Sequence, residues 1–308
     1  MTADKLPKPL RGIIPPMVTP LLDRDTLDRP GLERLIEHIL AGGVHGLFIL
    51  GTTGEAPSLS YRLRKDLVAL TCAQVAGRVP VLVGITDTSF VESVNIARQA
   101  AAAGAAGVVL AAPYYFPAGQ PELVEYLQHL AAELPLPLFL YNMPSHTKLF
   151  FEPDTVRQAA DIPGIVGLKD SSANMIYFHR LQGLLADRPD FSLLIGPEEL
   201  LGETLLLGGH GGVSGGANLH PRLYVDLYNA AVAKDLDAVA DLHRRVMRIS
   251  STIYSVGRYG SSVIKGIKCA LSILGICDDF MAEPFHRFRM PERDLVRRHL
   301  ADLGILPA

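Results

Sequence analysis

Short apolar runs alternate with polar loops and amphipathic segments along most of this 308-residue chain. An apolar run bounded by turn-forming residues such as Gly, Pro, Asn, Asp or Ser is typical of a buried strand. The runs predict eight strands, at Gly12–Val18, Gly46–Leu50, Pro80–Ile85, Val108–Ala112, Leu138–Tyr141, Ile165–Lys169, Ser192–Ile195 and Gly212–Ser214.

Segments with apolar residues three and four positions apart lie between the predicted strands, and this spacing is typical of helices. They are Gly31–Leu40, Tyr61–Val75, Phe90–Ala103, Glu122–Glu133, Pro153–Ala160, Met175–Ala186 and Glu198–Leu207. Strands that alternate with helices favour a parallel sheet with right-handed crossovers. Eight such units predict an α/β fold, namely a closed (β/α)8 TIM barrel.

The chain after about Arg222 shows helical patterns without a strand. The predicted helices are Arg222–Ala233, which completes the barrel, and then Leu236–Val256, Ser262–Leu274 and Pro291–Leu303 as a C-terminal helical extension. No Pro- or Ser-rich linker separates the two parts. We therefore expect residues 1–233 to form a catalytic barrel domain and residues 234–308 to form a helical segment packed on it.

Composition excludes several classes of protein. The net charge is −3, and no stripe of Lys and Arg indicates nucleic-acid binding. No stretch of about 18 uncharged apolar residues predicts a membrane span. The three cysteines, Cys72, Cys269 and Cys277, show neither disulfide nor metal-ligand spacing. We expect a cytoplasmic protein that needs no metal and no cofactor.

Lys169 stands in the apolar run Ile165–Ser171, which reads as a buried strand. Burial disfavours a charged ammonium, and a neutral lysine amine is a nucleophile for ketones. Strand alternation predicts that Val166 and Leu168 face the helices while Lys169 points into the barrel. A lysine at the end of a strand can instead extend to solvent, but the inward position favours catalysis.

The carboxyl ends of barrel strands carry the chemistry, whereas the opposite face serves stability. Tyr141 ends the strand beside Lys169, about 5 Å away across the ladder, and the turn Gly51–Glu55 follows another strand. Tyr141 is either a core aromatic or a proton relay, and the Gly-Thr-Thr-Gly turn is either an ordinary loop or an anion-binding nest. His45 and His210 precede strands and are predicted to be structural.

Two further segments allow more than one interpretation. The run Gly211–Gly216, which includes Ser214, suggests a phosphate-binding loop, but no basic residue follows it, and close backbone packing at the site is the preferred interpretation. The aromatic run Tyr114–Pro117 reads as ordinary packing, as an interface or as a lid over the site.

Four motifs occur in order along the chain: Gly51-Thr52-Thr53-Gly54-Glu55, Tyr114-Tyr115, Tyr141-Asn142-Met143-Pro144 and Gly167-Leu168-Lys169-Asp170. In combination they resemble the dihydrodipicolinate synthase/N-acetylneuraminate lyase superfamily of pyruvate-dependent class I aldolases. The resemblance covers the chain from roughly Arg11 to Leu274.

The resemblance implies that Lys169 forms a Schiff base with pyruvate or another 2-oxo acid and that Tyr141 relays protons beside it. Thr52 would join a relay with Tyr141 and with Tyr115 of a neighbouring subunit, since the family typically forms homotetramers as dimers of dimers. Thr53 would hold the substrate carboxylate. Further candidates for substrate binding are Gly51, His146, Gly196, Val213 and Ser214.

The segment Pro144–Lys148 bears on the second substrate. In dihydrodipicolinate synthases an arginine stands at the position of His146 and grips the carboxylate of aspartate semialdehyde, and an imidazole cannot replace its bidentate fork. The favoured function is therefore an aldolase or dehydratase acting on 2-keto-3-deoxy sugar acids or 4-hydroxy-2-oxo acids. The alternatives are 4-hydroxy-tetrahydrodipicolinate synthase, a non-catalytic oxo-acid-binding protein and a phosphosugar isomerase with phosphate near Ser214. We also mark Ser145, Glu198 and Asn218 as positions that could set specificity.

Overall fold

A computed structural model describes residues 6–306 of the chain. Its strands, in chain order, are β1 (Gly12–Ile13), β2 (Leu21–Asp23), β3 (Thr26–Leu27), β4 (Leu47–Ile49), β5 (Val81–Gly84), β6 (Gly107–Ala111), β7 (Leu138–Asn142), β8 (Ile165–Asp170), β9 (Ser192–Ile195) and β10 (Gly211–Gly212). Eight of them form one parallel sheet in the order β1-β10-β9-β8-β7-β6-β5-β4, while β2 and β3 form a separate antiparallel hairpin.

The sheet closes into a barrel where the chain beyond β1 meets β4. Pro16 and Phe48 form a parallel bridge, and the Met17 N–H donates to the Phe48 carbonyl over 2.8 Å. Closure removes both exposed edges of the sheet. The predicted (β/α)8 barrel is therefore confirmed, although the predicted strand Gly12–Val18 is shorter, because past Ile13 the chain keeps only this bridge.

The helices are α1 (Arg29–Ala41), α2 (Tyr61–Val75), α3 (Phe90–Ala103), α4 (Gln120–Glu133), α5 (Pro144–Thr147), α6 (Pro153–Ala160), α7 (Met175–Leu184), α8 (Leu201–Leu206), α9 (Pro221–Ala233), α10 (Leu236–Thr252), α11 (Ser262–Ile273) and α12 (Met290–Asp302). The predicted helix Glu198–Leu207 was wrong as a single element, since it divides into a 3₁₀ turn, Glu198–Leu200, and α8. The Glu198 carboxylate accepts hydrogen bonds from the Gly216 N–H and the Tyr224 hydroxyl, both outside the turn.

The last part of the predicted helix Leu236–Val256 is also a 3₁₀ turn, at Ile253–Ser255, in the observed structure. The C-terminal helices α10, α11 and α12 lie outside the barrel, as predicted, and the chain between α11 and α12 runs across the carboxyl ends of the strands. There the Ala282 N–H donates to Glu55 Oε1 over 2.8 Å. This crossing segment is what brings the extension to the site.

Two groups of buried side chains lie on opposite sides of the sheet. One fills the space between barrel and helices, and the other fills the barrel interior with residues that include Phe48, Phe139 and Leu194. The prediction that Val166 faces the helices was wrong. The ladder between β7 and β8 shifts register beside it, so Val166 packs against the interior group, while Leu168 faces the helices as expected.

His45 and His210 lie at the amino-terminal face of the barrel, as expected for structural residues. His45 Nδ1 accepts a hydrogen bond from the Ile13 N–H (3.1 Å), and His210 Nδ1 accepts one from the Leu193 N–H (2.9 Å). Burial lowers the pKa of both imidazoles, that of His210 to about 4 with help from nearby Arg11. The neutral rings therefore satisfy backbone donors at strand ends.

No helix within residues 6–306 is both long and apolar enough to cross a membrane.

Candidate active site

Lys169 lies at the carboxyl end of β8, directly opposite Tyr141 of β7 in the ladder. Its side chain points into the barrel, and the residue is only 6% exposed. The amine Nζ lies 4.0 Å from the centre of the Tyr141 ring and 5.2 Å from that of Phe48. The aromatic faces hold the amine at the mouth of the barrel, where a small ketone would approach it.

Tyr141 connects the amine to neighbouring hydroxyl groups. Its phenol oxygen lies 3.3 Å from Thr52 Oγ1. Burial by itself raises the pKa of this phenol, but the charge of Lys169 and hydrogen bonds from Thr52, Ser171 and Lys169 outweigh burial and hold the pKa below its usual value. A phenol with a lowered pKa beside an amine is suited to moving protons.

The tightly packed turn after β4 orients the Thr52 side chain toward Tyr141. Leu50 and Glu55 both have left-handed backbone angles, with φ of 57° and 56°. A Cβ at Gly51 would lie 2.6 Å from the Phe48 ring, so only glycine fits there. The Glu55 N–H donates to the Thr52 carbonyl and closes the turn. The sequence motif is therefore a fixed scaffold for Thr52 and Thr53.

Asp170 and Asn142 join the ends of β7 and β8 beside Lys169 and Tyr141. Asn142 Nδ2 donates to Asp170 Oδ1 over 2.9 Å, and Asp170 Oδ2 accepts from the Ser172 hydroxyl. Burial raises the pKa of Asp170 against the lowering effect of these donors. These buried contacts keep the adjacent strand ends, and hence Lys169 and Tyr141, in fixed register.

A cavity of about 350 Å³ opens above the aromatic pair. Its walls come from the loops after β4, β5, β6 and β7 and from the C-terminal extension, which contributes Ile264, Pro284 and Phe285. A volume of this size is in the usual range for small-molecule sites. A narrow space, lined by Lys169 and Val213 among others, lies beneath it inside the barrel.

The predicted site residues fall into three groups: those that line the cavity, those that line the narrow space below it, and those that line neither. Gly51, Thr52, Tyr141 and His146 line the cavity, and Lys169 and Val213 line the narrow space below. Thr53, Gly196, Ser214 and Tyr115 line neither. Gly196 packs against Ser171, and the Gly196 N–H donates to the Asp170 carbonyl, whereas Tyr115 is 75% exposed. In the aromatic loop it is Tyr114 that reaches this chain's own cavity.

His146 and Ser145 stand at the rim of the cavity, where Ser145 Oγ lies 3.0 Å from His146 Nδ1. Burial, followed by the charges of Lys148 and Lys169, lowers the pKa of His146, so its imidazole is neutral at pH 7. Glu198 and Asn218, marked as specificity positions, do not line the cavity. Asn218 bonds to the backbone of Pro16 and Val18.

Within residues 6–306, no three His, Cys, Asp or Glu side chains are grouped to hold a metal ion.

Sequence reasoning missed several residues of the site. Ser171 is two positions after Lys169 on the same strand end, and this period of two could have identified it. Phe48 reads as a core residue of its strand and gave no separate signal. Nor could Ile264, Pro284 and Phe285 be found. Ile264 belongs to a predicted helix, but its position over the site is a tertiary contact, and no periodicity marks the segment that carries Pro284 and Phe285.

Comparison with known proteins identifies relatives over nearly the full chain. Residues 9–302 match the model of the Dihydrodipicolinate synthetase family. The chain is 32% identical to a 4-hydroxy-tetrahydrodipicolinate synthase of Methylibium petroleiphilum, with 97% of this chain and all of the relative covered. It is 33% identical to an Escherichia coli K12 protein named "Probable 2-dehydro-3-deoxy-D-pentonate aldolase YjhH", with 97% and 99% covered.

Solved structures agree with this result. A dihydrodipicolinate synthase from Bacteroides thetaiotaomicron is 58% identical, with a TM-score of 0.94 over 96% of this chain and all of that chain. YagE from E. coli K12, described in complex with pyruvate, is 30% identical with a TM-score of 0.91, and 96% and 99% of the two chains are covered. The relatives thus include both a synthase and an aldolase.

Proposed function

We propose that this chain, which belongs to the dihydrodipicolinate synthetase family of pyruvate-dependent lyases, is a class I aldolase that uses Lys169 to join pyruvate to an aldehyde or to cleave the product. The product is a 4-hydroxy-2-oxo acid, of which 2-keto-3-deoxy sugar acids are one kind. The observation that carries the proposal is the buried Lys169 amine, 4.0 Å from the centre of the Tyr141 ring at the barrel mouth.

The reaction proceeds through an imine. The Lys169 amine attacks C2 of pyruvate, and the carbinolamine loses water to give the Schiff base. Loss of a proton from C3 produces an enamine, whose C3 attacks the aldehyde carbon while a proton passes to the aldehyde oxygen. Water then hydrolyses the imine, which releases the 4-hydroxy-2-oxo acid and restores the amine. Every step reverses in the cleavage direction.

The remaining residues divide the other tasks. Tyr141 carries protons to and from the carbinolamine and the new hydroxyl, and the Thr52 hydroxyl, 3.3 Å away, holds the phenol in place. Thr53 and the backbone of the Gly51–Glu55 turn bind the pyruvate carboxylate, as successive N–H groups in such a turn can do. Val213 packs beside the imine in the space next to Lys169, and Gly196 and Ser214 support this wall from the chain just after β9 and β10.

A second candidate is 4-hydroxy-tetrahydrodipicolinate synthase, which condenses pyruvate with aspartate semialdehyde. It is favoured by the printed names of several relatives, including the 58% identical structure. The two candidates share the Lys169 chemistry and differ in the second reactant. Production of a cyclised product from pyruvate and aspartate semialdehyde, at a rate above that with other aldehydes, would select the synthase.

Proton exchange on pyruvate tests the shared chemistry without any second substrate. In D₂O, reversible enamine formation replaces the C3 protons of pyruvate by deuterium, which NMR detects. We expect rapid exchange with the wild-type enzyme and none above the buffer rate with Lys169→Ala. Exchange that persists in Lys169→Ala would exclude Lys169 as the imine-forming residue.

We further propose that the protein is a cytoplasmic homotetramer in which Tyr115 enters the site of a neighbouring subunit. Tyr115 and Phe116 are 75% and 79% exposed on this chain, an arrangement suited to an interface. Analytical ultracentrifugation tests the assembly. If the Tyr115→Ser variant still forms a tetramer but has lost activity, the role of Tyr115 is supported. If the protein is a monomer with full activity, the role of Tyr115 in a neighbouring site is excluded.

A further inference from the structure

The cavity above Lys169 is lined mainly by apolar side chains on its outer side. The C-terminal extension supplies Ile264, Pro284 and Phe285, and the barrel loops supply, among others, Leu50, Ala56, Pro57, Ala111 and Met143. The cavity also contacts Phe48 and Tyr141, the two rings that hold the Lys169 amine. A molecule that reacts with an enamine on Lys169 would therefore place its remaining part against this apolar wall.

The described lining carries no arginine and no lysine. Its ionisable groups besides tyrosine are Glu55, which is ion-paired with buried Lys268, and His146, which is neutral at pH 7 because burial and two lysines lower its pKa. Lys148 stands nearby but is exposed, and its Nζ donates to the Ser145 carbonyl over 2.7 Å. A carboxylate on the second reactant would lose water here without meeting an arginine fork or a lysine among the lining side chains.

Four of the six hydroxyl groups in the described lining already have partners, and those of Ser58 and Tyr114 do not. Thr147 Oγ1 donates within its own loop, to the carbonyls of Met143 and Leu149. Thr86 Oγ1 accepts from the Ala111 N–H over 2.9 Å, and Thr52 is paired with Tyr141. A sugar-like chain would need a partner for each buried hydroxyl, and these side chains offer few.

We propose that this cavity receives the aldehyde-derived part of the second substrate and that this part is uncharged and apolar, such as an aryl or branched alkyl group. The inference rests on the Lys169 aldolase proposed above and selects one substrate class within it. The products are then 4-hydroxy-2-oxo acids whose C4 carries an apolar group. Ile264 and Phe285 are specificity-determining residues that bind this group.

Competition among aldehydes tests the proposal on the full-length enzyme saturated with pyruvate. We compare kcat/KM for benzaldehyde and 3-methylbutanal with kcat/KM for glyceraldehyde and aspartate semialdehyde, measuring each product by chromatography. We expect the apolar aldehydes to exceed both others by at least about 10-fold, the scale on which an apolar pocket discriminates. Equal or higher kcat/KM with glyceraldehyde or aspartate semialdehyde overturns the inference.

Pyruvate proton exchange, run in parallel, separates this inference from the proposal beneath it. Exchange that depends on Lys169, combined with poor use of apolar aldehydes, overturns the substrate class alone. Absence of exchange overturns the aldolase mechanism and the substrate class together.

Two neighbouring residues on α11 provide a matched pair of variants. Ile264 lines the cavity, whereas Val263 is 38% exposed and is not among the lining residues. We expect Ile264→Ser to raise KM for benzaldehyde about 10-fold and Val263→Ser to leave that KM near its wild-type value. Phe285→Ser should behave as Ile264→Ser does and covers the case in which Ile264→Ser fails to fold. An equal effect of Val263→Ser, or none from Ile264→Ser and Phe285→Ser, contradicts the assignment.

Discussion

The ammonium of Lys268 on α11 is ion-paired with the carboxylate of Glu55, and both side chains are almost completely buried. Lys268 Nζ also donates to the Phe280 carbonyl over 2.7 Å, and Glu55 accepts from the Ala282 N–H. One ion pair therefore ties the turn that carries Thr52 to the extension that closes the cavity. The Gly51–Glu55 turn and the outer wall of the cavity are held as one unit.

Breaking this pair should destabilise the protein strongly. Lys268→Met leaves the Glu55 carboxylate buried without its cation, and we expect the free energy of unfolding to fall by about 3–5 kcal/mol, measured by urea denaturation. The double variant Lys268→Met/Glu55→Gln removes both charges and should recover a large part of the loss. A single variant within about 1 kcal/mol of wild type would contradict the account.

Loss of the Tyr141 hydroxyl should slow catalysis without removing the nucleophile. We expect Tyr141→Phe to reduce the rate of Schiff-base formation by about 10²–10⁴-fold, the usual contribution of a general acid–base group, in stopped-flow measurements with pyruvate. The control is Tyr177→Phe, which removes another buried phenol, bonded to the Phe151 carbonyl outside the barrel. Similar rates for the two variants would show that Tyr141 is not the proton relay.

The pH profile should report the Tyr141 phenol. Its pKa is below the usual 10, since the Lys169 charge and its hydrogen bonds outweigh burial, so the protonated donor is lost below pH 10. We expect an alkaline limb in Schiff-base formation below pH 10. Thr52→Val removes one of the bonds that lower this pKa and should move the limb to higher pH. A limb that stays in place, or moves down, would contradict this assignment.

Glu198 should make stability depend on pH. Its buried carboxyl accepts hydrogen bonds from Tyr224 (2.5 Å), Tyr254 (2.8 Å) and the Gly216 N–H (2.8 Å), yet burial raises its pKa from 4.5 to about 7. The folded state then binds more protons than the unfolded state between these pKa values. The contribution of Glu198 to stability therefore falls as pH rises from about 4.5 to about 7, by as much as about 3 kcal/mol. The half-buried histidines, whose pKa values are lowered, contribute in the opposite direction over this range.

Urea denaturation at pH 5 and pH 8 checks this expectation. Glu198→Gln carries no titrating group at this position, so the stability of wild type relative to Glu198→Gln should be lower at pH 8 than at pH 5. Glu203→Gln, at an exposed position on α8, is the matched control and should keep the wild-type difference. A Glu198→Gln variant with the full wild-type difference would place the pH dependence elsewhere.

Most of the barrel, and the inward position of Lys169, could be predicted because both follow from local sequence pattern. Short apolar runs and strand alternation locate β8 and point Lys169 inward. The bulge at Val166 could not be predicted, since it depends on how β7 pairs with β8. The outer wall could not be predicted either. Ala282 contacts Glu55 across 227 positions of sequence, in a segment without periodicity.

The most direct test of the central claim is trapping of the imine. The enzyme is incubated with pyruvate and sodium borohydride, and the modified peptide is identified by mass spectrometry. The account predicts a single reduced pyruvate adduct on Lys169, present also in the exposed-lysine control Lys148→Ala and absent in Lys169→Ala. An adduct on another lysine, or none with pyruvate under conditions of turnover, would contradict it.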